Sequence, residues 1–140
     1  MEAKTITVQT SVHMPVEKAW QYFTEPQHIT QWYYASDDWH APHAENDVRT
    51  NGKFLTRMEA KDGSMGFDFG GVYDKVDLYQ LIEYKIGDGR KVSITFEPEG
   101  DHTTVVETFE PEATHPLEMQ QGGWQAILDN YKKYAEASEK

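Results

Sequence analysis

Residues 81–97 read LIEYKIGDGRKVSITFE, and the reading of this stretch decides the fold. Ile82, Tyr84 and Ile86 alternate with Glu83 and Lys85; beyond Gly87-Asp88-Gly89, Val92, Ile94 and Phe96 alternate with Ser93, Thr95 and Glu97. A period of two turns one face of each segment inward, and the glycine-flanked aspartate supplies residues that tolerate positive φ. The stretch is an antiparallel hairpin, because so short a connection leaves no room for a crossover helix.

Working outward, the same turn chemistry recurs at Asn51-Gly52, Asp62-Gly63 and Glu99-Gly100-Asp101, so residues 46–110 are predicted to form a succession of hairpin-linked strands. Strand 66–77 changes phase: Phe67 and Phe69 share one parity, Val72 and Val76 the other, with Gly70-Gly71 between them. A bulge at the glycines reconciles the halves and bends the sheet; the alternative is that one pair faces solvent.

Upstream, Ile6, Val8 and Val12 recur at even spacing in a first strand that Pro15 ends. Proline suits the first turn of a helix, and Val16, Ala19, Trp20 and Phe23 follow at helical spacing. Pro26 breaks that helix and starts another through Trp32, whereas Tyr34 to Glu45 shows no period and contains Pro42, the pattern of a loop. Downstream, Pro116 opens a long amphipathic helix whose stripe is Leu117, Gln121, Trp124, Leu128, Tyr131 and Ala135. Gly122-Gly123 inside it costs about 1 kcal/mol per glycine relative to alanine, which predicts close approach to another element.

The order is strand, two short helices, six strands and one long helix: an α+β chain in which a curved antiparallel sheet wraps around the C-terminal helix. A sheet with one apolar face needs a cover, and only that helix is long enough to supply it. The space between them is either filled by side chains or left as a cavity.

The 140 residues suit one domain spanning 1–140. Twenty-four acidic against thirteen basic residues give a net charge of -11, which repels phosphate backbones and anionic membrane surfaces and so argues against nucleic acid as a partner. Absence of cysteine excludes disulfides, thiolate catalysis and cysteine-based zinc sites. Met1 to Thr5 lead into the first strand without the apolar core of a signal peptide, and no apolar run approaches membrane-spanning length. The expectation is a cytoplasmic protein without membrane insertion, a monomer or weak homodimer.

Several short stretches carry a resemblance. They are Val16-Glu17-Lys18-Ala19-Trp20, Ile29-Thr30-Gln31-Trp32 leading to Asp38-Trp39-His40-Ala41-Pro42, and Gly52-Lys53-Phe54 with Arg57-Met58. Further along stand Gly70-Gly71-Val72-Tyr73, Val92-Ser93-Ile94-Thr95-Phe96-Glu97 and Gly122-Gly123-Trp124-Gln125-Ala126-Ile127-Leu128. Together they resemble the SRPBCC superfamily, also called START-like or birch-pollen-allergen-like, in the branch similar to the C-terminal domain of the heat-shock-protein-90 ATPase activator. The resemblance implies a helix-grip fold with a cavity between sheet and last helix. Members bind lipids, polyketides or other apolar molecules there; some are cyclases and some assist chaperones, so a small apolar ligand and a chaperone are the partners implied.

On this picture Phe67, Phe69, Tyr84, Phe96 and Trp124 are candidate walls of a ligand site, with Met58 and Leu128 beside them. Trp124 equally suits ordinary core packing. Trp32, Tyr33 and Trp39 flank the irregular segment and suit a lid or mouth. Glu107 shares the parity of Val105 and Phe109, so an inward apolar face carries an inward carboxylate, a polar anchor or a base of raised pKa; alternation equally allows Thr104, Val106 and Thr108 to face inward. Arg57 is a candidate partner for it. His40 and His43 lack a third ligand nearby in sequence, and His13, His28, His102 and His115 are scattered, so no metal and no cofactor are expected. No nucleophile motif, phosphate loop or dinucleotide fingerprint is present, which favours a binding protein; the rival is a cyclase or dehydratase using Glu107 and His40.

Overall fold

A computed structural model of the chain describes residues 5–139. Its elements are β1 (Ile6–Val12), α1 (Val16–Thr24), α2 (Pro26–Trp32), β2 (Trp39–Asn46), β3 (Lys53–Ala60), β4 (Gly66–Asp77), β5 (Leu81–Ile86), β6 (Lys91–Glu99), β7 (His102–Phe109) and α3 (Leu117–Ser138). The strands form one antiparallel sheet in the order β1-β7-β6-β5-β4-β3-β2. This is the helix-grip arrangement expected from the sequence, a curled sheet with a long C-terminal helix against its concave face. Among the described residues no helix is long and apolar enough to cross a membrane.

Local chemistry accounts for most of the boundaries. Glu25 closes α1 and opens α2 in an extended conformation (φ -76°, ψ 129°), because the ring of Pro26 disfavours helical geometry in the residue before it. Gly63, Gly89 and Gly100 take positive φ in the turns after β3, β5 and β6. The turn after β4 has no such residue, and Tyr79 itself adopts φ 65°, its ring set edge-on to Trp20 at 5.9 Å.

Residues 39–46 are a strand rather than the loop read from Pro42. β2 lies at the edge of the sheet and pairs only with β3, so the missing proline N–H breaks no ladder, and a register shift between His40 and His43 absorbs the ring. The bend in β4 is also displaced. Pairing with β3 runs unbroken through Gly70 and Gly71, and the irregularity falls between Tyr73 and Lys75 against β5. Phe69 and Tyr73 therefore share the inner face, Val76 joins it beyond the bulge, and Val72 is exposed.

The glycine pair in β4 has a different reason for being there. A Cβ at Gly71 would stand 2.2 Å from the Lys85 carbonyl oxygen and 3.0 Å from the Phe54 ring, and one at Gly70 would stand 2.8 Å from the Phe54 carbonyl oxygen. The pair in α3 meets no such crowding: a Cβ at Gly122 or Gly123 finds nothing within 4 Å, so no element approaches there as the sequence suggested.

α3 lays Leu128, Tyr131 and Ala135, all fully buried, across the concave face. Gln125 Nε2 donates to the Gln9 carbonyl at 3.0 Å, Lys132 Nζ donates to the Ser11 carbonyl, and Glu136 Oε2 accepts the His13 N–H at 2.9 Å. These side chains occupy backbone groups on the free edge of β1, which otherwise invites pairing with another chain. The first turn departs from the expected stripe: Leu117 is exposed, and Gln120 is buried, donating to the carbonyls of Glu112 and His115 and accepting the Glu112 N–H. The connection before α3 needs those partners more than the core needs another leucine.

The two glycine pairs yield opposite expectations. Gly71→Ala should lower stability by roughly 1–3 kcal/mol through backbone overlap, whereas Gly122→Ala should raise it by up to about 1 kcal/mol through helix propensity. Urea midpoints at constant m-value measure both; a Gly71→Ala variant as stable as the parent sequence would refute the crowding.

Candidate functional site

Two hollows lie along the concave face. The inner one is a narrow cavity of about 40 Å³, and the outer one is an open groove of about 300 Å³ near the start of α3. About 40 Å³ admits only a few water molecules.

The inner cavity is walled by Ile29, Tyr33, Phe54, Phe69, Tyr84 and Ile94, with Thr24, Asn46, Thr56 and Tyr73 at a more polar end. There the Tyr73 hydroxyl donates to Asn46 Oδ1, and Asn46 Nδ2 donates to the Thr24 carbonyl, tying β4 and β2 to the end of α1. Glu107 also lines it. In β7, Thr103, Val105, Glu107 and Phe109 are buried while Thr104, Val106 and Thr108 are only half-buried, so the register turns the carboxylate inward, between Val8 of β1 and Ile94 of β6.

Glu107 is 7% exposed, and burial alone pushes its carboxyl up to about 8. Among the described residues no protein group hydrogen-bonds it, and Arg57 is not its partner: the guanidinium points to the other face, bound to Glu59 at 2.8 Å and Asp68 at 3.3 Å. Its charge is felt by the hydroxyls of Tyr33 and Tyr84, which burial already holds well above their ordinary range. Tyr131, affected likewise, is satisfied, donating to the Ala19 carbonyl at 2.7 Å. Among the described residues no buried side-chain polar atom is both sealed and unpaired, so the unbonded carboxyl faces cavity space rather than packed atoms.

Trp39, Met58, Phe67, Met119, Gly123 and Trp124 line the outer groove. Trp124 stacks on Phe109 with centroids 3.9 Å apart and planes at 11°, and its edge meets Phe69 at 6.2 Å. Since Phe69 lines the cavity and Trp124 the groove, this aromatic pair stands between the two hollows.

The residues singled out from the sequence divide accordingly. Phe69, Tyr84 and Glu107 meet in the cavity; Trp39, Met58, Phe67 and Trp124 meet in the groove. Trp32, Phe96, Leu128 and His40 lie outside both. Trp32 is 1% exposed, its indole N–H donating to the Tyr22 carbonyl, because α2 inserts it between Phe23 and Tyr131. Phe96 packs on Trp20 and Phe23, and Leu128 is sealed beneath α3. His40 sits on the edge strand beside Glu59 at 3.8 Å, so it does not converge with Glu107, and His43 pairs separately with Glu45 at 2.8 Å. Phe54 and Tyr73 were missed as walls. Tyr73 shares the parity of Phe67 and Phe69, a signal hidden by placing the bulge at Gly70-Gly71, before Tyr73 and not after it.

Comparison with known proteins agrees with the fold. A solution structure of an AHSA1-like protein from Aeromonas hydrophila is 38% identical, with a TM-score of 0.91 over 97% of this chain and 94% of that one. A solution structure of a protein from Cytophaga hutchinsonii is 56% identical, with a TM-score of 0.83 over 96% and 94%. A crystal structure of a protein from Nitrosomonas europaea shares the fold at 17% identity, with a TM-score of 0.82 over 96% of both chains. Among curated proteins none matches. The family model described as activator of Hsp90 ATPase homolog 1-like protein matches residues 13–136, and the chain therefore belongs to this AHSA1-like family within the SRPBCC superfamily.

Proposed function

We propose that the chain binds a small, largely apolar molecule that carries one hydroxyl or carbonyl group. The polar group sits at Glu107, Tyr33 and Tyr84, and the apolar body runs past Phe69 toward Trp124. One observation carries this reading: a carboxyl without a partner among the described residues faces an apolar cavity from β7, between β1 and β6. Such a group lowers stability, and leucine would serve packing better, so its presence is explained by something it contacts. Near neutral pH the carboxyl is mostly protonated and donates a hydrogen bond, as does each tyrosine. A ligand larger than a few waters requires Phe69 and Trp124 to move apart, joining the cavity to the groove.

A second reading rests on the family match and on the groove, where Phe67 and Met119 are exposed: assistance to a chaperone of the Hsp90 class. An ATPase assay with a bacterial chaperone of that class separates it from the first. Stimulation that survives substitution of Glu107 supports it, and no stimulation at saturating protein removes it.

The ligand reading is tested by titrating 1-naphthol, with naphthalene as a control lacking the hydroxyl, into isotopically labelled protein. Amide shifts should cluster at Tyr33, Phe69, Tyr84, Glu107 and Trp124, naphthol should bind more tightly, and Glu107→Leu should abolish that preference. Shifts confined to other surfaces, or a preference unchanged in the variant, would sink the reading.

Glu107 also sets a pH dependence. Its folded value of about 8 exceeds its ordinary value of 4.5, so the folded chain holds a proton that the unfolded chain releases across that interval. The stability contribution is fully present below pH 4.5 and is lost as pH rises through about 8. Glu107→Gln should flatten this slope and leave the protein more stable at pH 8.5 by roughly 2–4 kcal/mol, at about 1.4 kcal/mol per pKa unit. Chemical denaturation from pH 5 to 9 measures it; parallel profiles for parent and variant would show that the carboxyl titrates normally.

A further inference from the structure

His13 and His102, far apart in sequence, meet at one corner of the fold. Their ring centroids are 4.5 Å apart, Asp101 Oδ2 lies 3.4 Å from His13 Nε2, and Asp101 Oδ1 contacts His102 Nδ1. One donor atom from each of the three side chains lies within 4.8 Å of the others. We propose that His13, Asp101 and His102 form a binding site for a divalent transition-metal ion of the zinc, nickel or copper class.

The corner is built on paired backbone rather than on loose loop. The β1–β7 register carries Val12 opposite Thr103, which sets His13, just past the end of β1, beside His102 at the start of β7. Thr103 Oγ1, fully buried, donates to the Met14 carbonyl at 2.9 Å and locks the end of β1 to the start of β7. Gly100, at φ 66°, turns the chain, and Asp101 beyond it reaches a nitrogen of each ring. From α3, Glu136 accepts the His13 backbone N–H at 2.9 Å and pairs with Lys132 at 3.4 Å, so a further carboxylate and one ammonium lie beside His13.

The donor set defines the ligand class. Two imidazole nitrogens with one carboxylate oxygen suit zinc, nickel or copper, whereas calcium and magnesium take oxygen almost exclusively. A tetrahedral zinc ion with bonds of about 2.0–2.1 Å holds its ligand atoms about 3.3 Å apart. The His13–Asp101 separation of 3.4 Å already matches one such edge, and the exposed His13 and half-buried His102 imidazoles need only rotate to close the others. Water completes the shell, because His13 and Asp101 are solvent-exposed. None of the three residues lines either hollow, so the site is separate from the proposed ligand site. A bound ion would clip β1 to the β6–β7 turn and stabilise the folded state, the only state in which the three donors meet.

The test uses the full chain without an affinity tag, stripped with EDTA and titrated with zinc chloride, then nickel chloride, by calorimetry at pH 7.5. One equivalent should bind, with a matching rise in Tm, and His13→Ala and His102→Ala should each weaken binding by roughly tenfold or more. His43→Ala, at an exposed histidine elsewhere, should change nothing. The targeted residues lie at the surface, and circular dichroism of the variants checks that the fold is kept. No binding at millimolar metal, or equal binding by the His13→Ala/His102→Ala double variant, would overturn the proposal.

Discussion

The pairing of β1 with β7 is the contact on which the rest of the structure depends. It joins Ile6 to Phe109 and Val12 to Thr103 across about a hundred residues, after α1 and α2 have carried the chain away to the far edge. A contact of such sequence separation forms only after a large loss of chain entropy, so it must be held by more than its own ladder. The support comes from α3, whose Gln125, Lys132 and Glu136 occupy the free edge of β1 while Leu128 and Tyr131 cover the sheet beside it. Strand pairing positions the helix, and the helix keeps the strand from being a reactive edge. The same register places Glu107 opposite Val8 and brings His13 to His102.

Glu107 shows how much that register decides. In a strand with a period of two, moving the pairing by one residue would turn Thr104, Val106 and Thr108 inward and put the carboxylate in solvent. The observed register keeps Val105 and Phe109 in the core, and their burial outweighs the desolvation of one carboxyl that can take up a proton. Protonation is what makes the arrangement tolerable near neutral pH. A group so placed switches from donor to charged acceptor within the physiological range, and the hydroxyls of Tyr33, Tyr84 and Tyr131 all feel the change.

Legibility in the sequence follows how local each decision is. The β5–β6 hairpin, the paired short helices and the long last helix rest on alternation, proline and helical spacing, and the structure has them where local chemistry puts them. β2 was not legible. As an edge strand it carries exposed Pro42 and His43 that a central strand would exclude, so its residues lack the period that marks a strand. The bulge was legible in kind but not in place, because aromatic parity shows that a phase change occurs and not which residue absorbs it. Tyr79 at positive φ carries no local signal at all. Of the site, the aromatics of β4 and β5 were visible as an inward face, whereas Glu107 stayed ambiguous and His13 and His102 looked unrelated, since only long-range register settles them. Trp32 and Phe96 exposed a further gap: periodicity identifies an inner face but does not say which of its side chains border empty space.

The glycines of α3 connect to the narrowness of the cavity. In β4 the adjacent backbone demands a glycine; in α3 nothing lies where a Cβ would go, so packing does not explain the weakened helix. Gly123 lines the groove, and Trp124, the next residue, belongs to the aromatic pair that divides groove from cavity. A helix is most easily bent where residues contribute least to its propensity, and two glycines in succession mark such a place. Leu128, Tyr131 and Ala135 anchor the C-terminal half in the core, while Leu117 and Met119 at the other end are exposed. Bending at 122–123 would therefore displace the N-terminal turns and Trp124 without disturbing the anchored half. On the proposed reading, that is the least costly way for a cavity of about 40 Å³ to open into a groove of about 300 Å³.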